Sequence, residues 1–267
     1  MKTKNVIALL ATVLIFAGII FTGCEKTDEI DSTSNSSGKL KILLTDAPFP
    51  TDMVAEANVV INKVEIRKAR ENEGEDEGYP FVTLTEEEMH FNLLELTNGV
   101  TAEMVDIEIE SGEYDLVRLY VADASIMLKD SSEYDLKVPS GAQTGIKIFI
   151  DSAVEVMGGL TAELVLDFNV SKSFVVRGNP HTPAGIKGFI FKPVIKASNV
   201  STAGRLMGMV TDTSDVAIEE AEVSLLAADT VYTSSFTDEA GAYQVIGVHA
   251  GAYHVAFAKE GFISDTI

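Results

Sequence analysis

The stretch Tyr114-Asp115-Leu116-Val117-Arg118-Leu119-Tyr120-Val121-Ala122 decides the fold class. Val117, Leu119 and Val121 alternate with Arg118 and Tyr120, and a period of two places one set on each face of a β-strand. The same alternation marks candidate strands at Lys39 to Thr45, Asn58 to Arg67, Tyr79 to Leu84, Met104 to Glu110, Ala124 to Lys129, Tyr134 to Val138, Ile146 to Ile150, Ala162 to Phe168, Ser173 to Val176 and Phe189 to Ala197. Long stretches of 3.6 period are absent. Thr85 with Glu88 fits a capping box ahead of Met89, Leu93 and Leu96, which predicts a helical turn there. Short strands separated by Gly, Asn and Asp turns predict a β-sandwich.

Working outward, Ser, Asn, Thr, Ala and Gly cluster from Ser198 to Gly204 and mark a boundary. Residues 39–199 hold 27 acids and 15 bases, and residues 200–267 hold 10 acids and 2 bases. The second piece shows further strands near Leu206 to Thr211, Ala221 to Leu226, Val231 to Phe236, Tyr243 to Ile246 and Tyr253 to Ala258. The organisation read here is all-β: two β-sandwich domains, 39–199 and 203–267, behind a signal segment (1–23) and a tether (24–38). Over all 267 residues, 41 acids against 20 bases give a net charge of −21. Such a surface repels phosphate backbones and anionic headgroups, so nucleic acid is excluded as a partner. With 46% apolar residues the chain can bury a core.

Lys2 and Lys4 precede the uncharged segment Asn5 to Gly23, whose apolar heart Val6 to Phe21 is 16 residues long. As a helix it spans roughly 24 Å, short of a bilayer's hydrocarbon core, and so reads as the apolar region of a signal peptide. It ends in Phe21-Thr22-Gly23-Cys24. Small residues before the chain's single cysteine resemble the lipobox of bacterial lipoproteins, which implies acylation of Cys24, cleavage before it and attachment to a membrane. Phe21 stands where that motif usually has Leu. Residues 25–38 are polar and read as a flexible tether. Lys26 with Asp28 and Glu29 resembles the surface-export signal of Bacteroidetes lipoproteins, beside the simpler reading of a solvated leash.

Leu43-Leu44-Thr45-Asp46-Ala47-Pro48, Gly112-Glu113-Tyr114 with Val117-Arg118-Leu119, Val138-Pro139-Ser140-Gly141 with Thr144-Gly145-Ile146-Lys147, Leu166-Asp167-Phe168-Asn169 and Lys192-Pro193-Val194-Ile195 resemble a β-sandwich family of unassigned function found in lipid-anchored Bacteroidetes proteins. Gly208 to Asp212, Ala221-Glu222-Val223, Thr237 to Tyr243, Gly247 to Val255 and Lys259 to Phe262 resemble the carboxypeptidase-regulatory-like, transthyretin-type module. That resemblance implies a noncatalytic spacer or binding accessory. The family usually continues into a closing strand after the position of Ile267, so an open sandwich edge is expected if the chain ends there.

Catalytic motifs are missing: no G-x-S-x-G elbow, phosphate loop, H-E-x-x-H or paired cysteine occurs. His90, His181, His249 and His254 lack zinc spacing. The acid run Glu71-Asn72-Glu73-Gly74-Glu75-Asp76-Glu77-Gly78 fails the EF-hand pattern and reads as a solvated hairpin loop. Asp167, after an apolar strand, is the buried-acid candidate and is expected to bond to the following turn; Asn169 stands where the family often has a second Asp. No Trp is present for sugar stacking, and Tyr79, Tyr114, Tyr120 and Tyr134 read as packing residues. Asp31-Ser32-Thr33, Asp151-Ser152-Ala153, Asp229-Thr230-Val231 and Asp265-Thr266-Ile267 match a short O-glycosylation motif of Bacteroidetes, the tether site best.

These features together predict no enzyme, no cofactor and no metal. The expected function is a lipid-anchored cell-envelope module, on the outer membrane through Cys24, for binding, adhesion or display toward a glycan or protein. A subunit assembling by strand exchange and a carboxylate-dependent hydrolase are the alternatives.

Overall fold

The computed structural model describes residues 36–47, 53–69, 80–138, 144–179 and 185–267, and Ser36–Ile267 forms one compact unit. Cys24, the signal segment, the tether, the acid run Glu71 to Gly78, Tyr79, Pro139 to Gly141 and His181 lie outside the described residues. The structure is all-β, and among the described residues its named helical segments are α1 (Val170–Ser173) and a 3-10 turn at Leu93–Leu96.

The first twelve strands are β1 (Ser37–Ala47), β2 (Val54–Lys68), β3 (Phe81–Thr85), β4 (Met89–Asn92), β5 (Ala102–Glu110), β6 (Gly112–Leu128), β7 (Glu133–Asp135), β8 (Ile146–Val156), β9 (Thr161–Asn169), β10 (Phe174–Gly178), β11 (Ile186–Phe191) and β12 (Ile195–Asn199). Ten form one sheet in the order β3-β2-β6-β8-β12-β9-β1-β5, with β4 added on β2 and β7 on β6. β1–β9 and β8–β12 are parallel, and the other pairs are antiparallel.

The two candidate strands expected at Tyr114 to Ala122 and Ala124 to Lys129 are one 17-residue strand, β6. Asp123 does not break it, because it pairs with Val60 of β2 next to register shifts in the β2–β6 ladder. Bulges of this kind bend long strands. β2 and β6 therefore serve β3 and β8 at one end and β4 and β7 at the other. Conversely, the single strand expected from Phe189 to Ala197 is broken around Pro193, which has no N–H for a ladder. β11 pairs with β10 in a separate ribbon, while β12 joins the large sheet.

The turn expected from Thr85 and Glu88 is also displaced. Met89–Asn92 forms β4, and Asn92, rather than Thr85, caps the 3-10 turn by accepting from Leu94 N–H. Thr85 Oγ1 instead accepts from Glu87 N–H. Leu40, Ile42, Leu44, Ile61, Ile66, Leu119, Leu166 and Phe168, all fully buried, centre a core shared by both halves of the sheet. The β10–β11 ribbon covers part of it: Phe174 and Phe191 lie 5.0 Å apart, and each ring contacts Phe168.

The remaining strands are β13 (Gly204–Met209), β14 (Glu222–Ala227), β15 (Thr230–Phe236), β16 (Ala242–Val248), β17 (His254–Ala258) and β18 (Asp265–Thr266). They make a two-stranded sheet, β13-β16, and a four-stranded sheet, β15-β14-β17-β18. Val223, Leu225, Tyr243 and Val255 are buried together at its core, with Leu206 and Phe257 against them. Ile267 exchanges backbone hydrogen bonds with Val255, so pairing runs through the last residue described.

Candidate functional site

Two features stand out: a polar joint between the first twelve strands and the tail, and a trough in the tail. The joint starts from strand alternation. Leu164, Leu166 and Phe168 of β9 point into the core, so Asp167 points away from it, toward the tail. On neighbouring β12, Ala197 is buried in the core, and Lys196 and Ser198 point outward likewise. Asp167 Oδ2 accepts from Thr233 Oγ1 of β15 at 3.2 Å. Lys196 Nζ donates to the Tyr232 carbonyl and lies 3.7 Å from the centroid of that residue's ring. Lys172 Nζ donates to Val231 O, and Ser198 Oγ to Gly247 O.

A turn after the 3-10 segment completes the joint. Asn98 and Gly99 adopt φ of 57° and 76°, the left-handed region that Asn and Gly tolerate best. The turn aims Asn98 at the edge of β16: its Oδ1 accepts from Gln244 N–H at 2.6 Å, and its Nδ2 donates to Ala242 O. Burial pushes the Asp167 carboxyl upward, while Lys196, the Thr233 bond and Lys172 pull it the other way. Burial pushes the Lys196 amine downward against the opposing pull of Asp167.

The expectation that Asp167 bonds to the following turn is therefore corrected. That turn is held by Asn169, whose Oδ1 accepts from Lys172 N–H, and by Asp46, whose Oδ1 accepts from Val170 N–H. Asp167 is free to face the tail because these two residues, one at the position where the related pattern has Asp, take over the capping.

The trough, about 590 Å³ and open to solvent, lies between the tail sheets. Arg205 and Leu206 of β13 form one wall, Leu225 and Val255 of the facing sheet another, and Val248, His249 and Tyr253 an end. No carboxylate lines it. β13 has no partner on its other edge among the described residues, and it shows Met207 and Met209 to solvent, 58% and 65% exposed. The first module braces the rim: His249 Nδ1 meets Asp151 Oδ2 at 2.9 Å, and Tyr253 OH donates to His249 O.

The sequence alone singles out Asp167 but not its partners Lys196 and Thr233, nor Asn98, which holds the joint elsewhere through Gln244 and Ala242. The Asn98-Gly99 pair was the available signal, since Asn-Gly favours left-handed turns. His90 pairs locally with exposed Glu88. Tyr114 is buried and donates to Glu110 O, Tyr134 packs edge-on against Phe189, and Tyr120 OH donates to Glu65. Among the described residues no three His, Cys, Asp or Glu side chains gather as a metal cluster, and no helix is long and apolar enough to cross a membrane.

The architecture is thus that of an all-β chain with two successive modules. A family model described as a domain of unknown function (DUF4382) matches residues 37–193, and one described as a carboxypeptidase regulatory-like domain matches residues 205–267. The first match spans more than half of the chain, which belongs to that family of unassigned function and carries the regulatory-like module after it. Neither description names a catalytic activity. No curated protein matches. Among solved structures, native alpha-2-macroglobulin from Escherichia coli spanning domains MG0-NIE-MG1 is 11% identical, with a TM-score of 0.22 over 85% of this chain and 63% of that one. BcpA, the major pilin subunit of Bacillus cereus, is also 11% identical, with a TM-score of 0.20 over 86% of this chain and 65% of that one. The chain spans just under two thirds of either structure, and at these TM-scores neither bears on function.

Proposed function

We propose that this protein is a noncatalytic binding module of the cell envelope, anchored on the outer membrane through acylated Cys24, and that its tail captures an extended protein segment. The carrying observation is the trough beside the unpaired edge of β13. A strand edge offers backbone donors and acceptors in a row, and a segment added there gains main-chain hydrogen bonds while alternate side chains enter the adjoining apolar space. The two-stranded sheet faces a four-stranded one, which leaves space beside β13 for single strands. Arg205 and the absence of carboxylates in the lining favour a neutral or acidic segment over a basic one.

Anchoring is supported by the lipobox-like sequence before Cys24 and by the number of residues that separate it from Ser36. Ser36 lies twelve residues beyond Cys24, so a fully extended tether reaches roughly 40 Å from the bilayer. The test of the binding reading uses a fluorescent peptide of alternating Val and Thr flanked by Asp, titrated into residues 36–267. Saturable binding that is lost in Met207→Pro and weakened in Arg205→Glu is expected. Equal binding by all three proteins, or none by the parent, removes the reading.

A further inference from the structure

The chain enters the fold at Ser36, and one end of the large sheet is built around that entry. The β8–β9 hairpin turns there through Met157-Gly158-Gly159-Leu160, all exposed, with Met157 and Leu160 49% and 55% open to solvent. β1 is fastened to it: Gly159 N–H donates to Ser37 O, and Lys39 N–H to Leu160 O. From the turn between β5 and β6, Ser111 N–H donates to Ser36 O. We infer that this end is a lipid-contact surface, on which Met157 and Leu160 rest against a zwitterionic bilayer when Cys24 is anchored. The inference rests on the anchoring proposed above and does not depend on the trough.

Three observations carry this. First, residues 36–38, Ser111-Gly112 and Met157 to Leu160 hold no ionisable side chain, in a chain of which 23% is charged. Lys39 and Lys68, just behind this rim, are paired with Asp106 and Glu110. Second, the rim is rigid. A Cβ on Gly38 would collide with Met157 O and Val156 Cγ1, so glycine is what lets β1 pass tight against the hairpin. Whatever brings Ser36 to a bilayer brings Met157 and Leu160 with it. Third, the surrounding charge selects the headgroup. Glu113 and Glu155, paired across β6 and β8, stand exposed one residue behind the rim. The acid run begins two residues after Ala69, whose N–H donates to Glu113 O. Carboxylates at that depth repel anionic lipid and attract the ammonium group of phosphatidylcholine or phosphatidylethanolamine.

Two half-exposed side chains bury too little to hold a free protein on lipid. Anchoring changes that arithmetic. With Ser36 twelve residues from Cys24, the contact becomes intramolecular, at an effective concentration on the order of millimolar. A surface too weak to act in solution is then occupied, and it sets the direction of the module. β1 runs away from this end, and Thr45, roughly 25 Å along it from Ser37, donates to the Val100 carbonyl. The end that carries Val100 therefore points away from the lipid.

The chain has one Cys and no Trp, so anchor and probe can each be placed at a single position. Residues 24–267, which contain the whole compact unit, are coupled through the Cys24 thiol to maleimide-bearing lipid in phosphatidylcholine vesicles, part of whose acyl chains are brominated. Coupling imposes the anchor chemically, so the outcome is separate from whether Cys24 is acylated in the cell. In Leu160→Trp the indole emission should shift to the blue and fall by roughly half through contact with bromine. In Val100→Trp, an exposed position at the opposite end, it should hardly change. Adding Met157→Asp to Leu160→Trp, or replacing much of the phosphatidylcholine with phosphatidylglycerol, should restore most of the emission. Equal quenching at both positions, or none at position 160, overturns the inference. Quenching that Met157→Asp or phosphatidylglycerol leaves unchanged does the same.

Discussion

Replacing Asn98 tests whether the tail is locked to the first module or merely tethered to it. Asn98→Ala deletes the acceptor of Gln244 N–H and the donor to Ala242 O. Leaving this partly buried N–H without a partner costs about 1–3 kcal/mol. Alanine also has to occupy φ near 57°, at a cost of about 1–2 kcal/mol. The sum is about 2–5 kcal/mol, which for a fold of this size lowers Tm by roughly 5 to 15 °C. Asn98→Gly separates the two contributions: it keeps the left-handed backbone, loses the bonds and should show about half the loss. The assay is thermal and urea unfolding of residues 36–267, followed by circular dichroism and by hydrogen exchange at Gln244. A locked joint predicts one cooperative transition in the parent, and destabilisation with faster Gln244 exchange in both variants. If both variants melt within 1 °C of the parent, the side-chain lock does not exist.

On the proposed anchoring, Cys24→Ser should move the protein from the membrane to the soluble fraction, because three acyl chains would supply far more buried hydrocarbon than a single chain; continued membrane association without unprocessed precursor contradicts the anchor. Phe174→Ala, which empties a ring position between Phe168 and Phe191, should cost about 3–5 kcal/mol by urea denaturation. Ala228→Gly should stabilise by about 1 kcal/mol, since the two-residue hairpin between β14 and β15 holds Ala228 at φ 46°. Glu65 is opposed by burial, but Lys63, Tyr120 and Arg118 outweigh it and hold the carboxyl below its usual range. A depressed folded pKa means that its stabilisation is complete above the unfolded value and is lost as pH falls through the folded one. Glu65→Gln should therefore lower Tm at neutral pH and narrow the gap to the parent in acid.

The strands were legible wherever one face is buried, because burial imposes the period of two. Lys39 to Thr45 and Ala162 to Phe168 lie inside β1 and β9. What the alternation does not encode is sheet membership. β11 and β12 read as one strand because Phe189, Phe191, Ile195 and Ala197 keep the period across Pro193, while their partners lie elsewhere in the chain. Asp123 reads as a break in β6 because a bulge has no signature of its own in composition. The joint was illegible for a related reason. Asp167, Lys196 and Thr233 acquire meaning only when β9, β12 and β15 come together, and each alone resembles an ordinary outward-facing polar residue of a strand. Asp46 and Asn169 were hidden as caps because their acceptors serve amides of a four-residue helix that has no apolar periodicity.

The most direct test of the binding account is residue-resolved hydrogen exchange on β13. In residues 36–267 alone, the amides of Arg205 to Met209 that point away from β16 should exchange rapidly. They should become protected at least tenfold when the Val-Thr peptide is added, while β5, at the edge of the large sheet, does not change. Slow exchange along both edges of β13 in the free protein, or peptide binding that leaves β13 unprotected, would contradict capture at this strand.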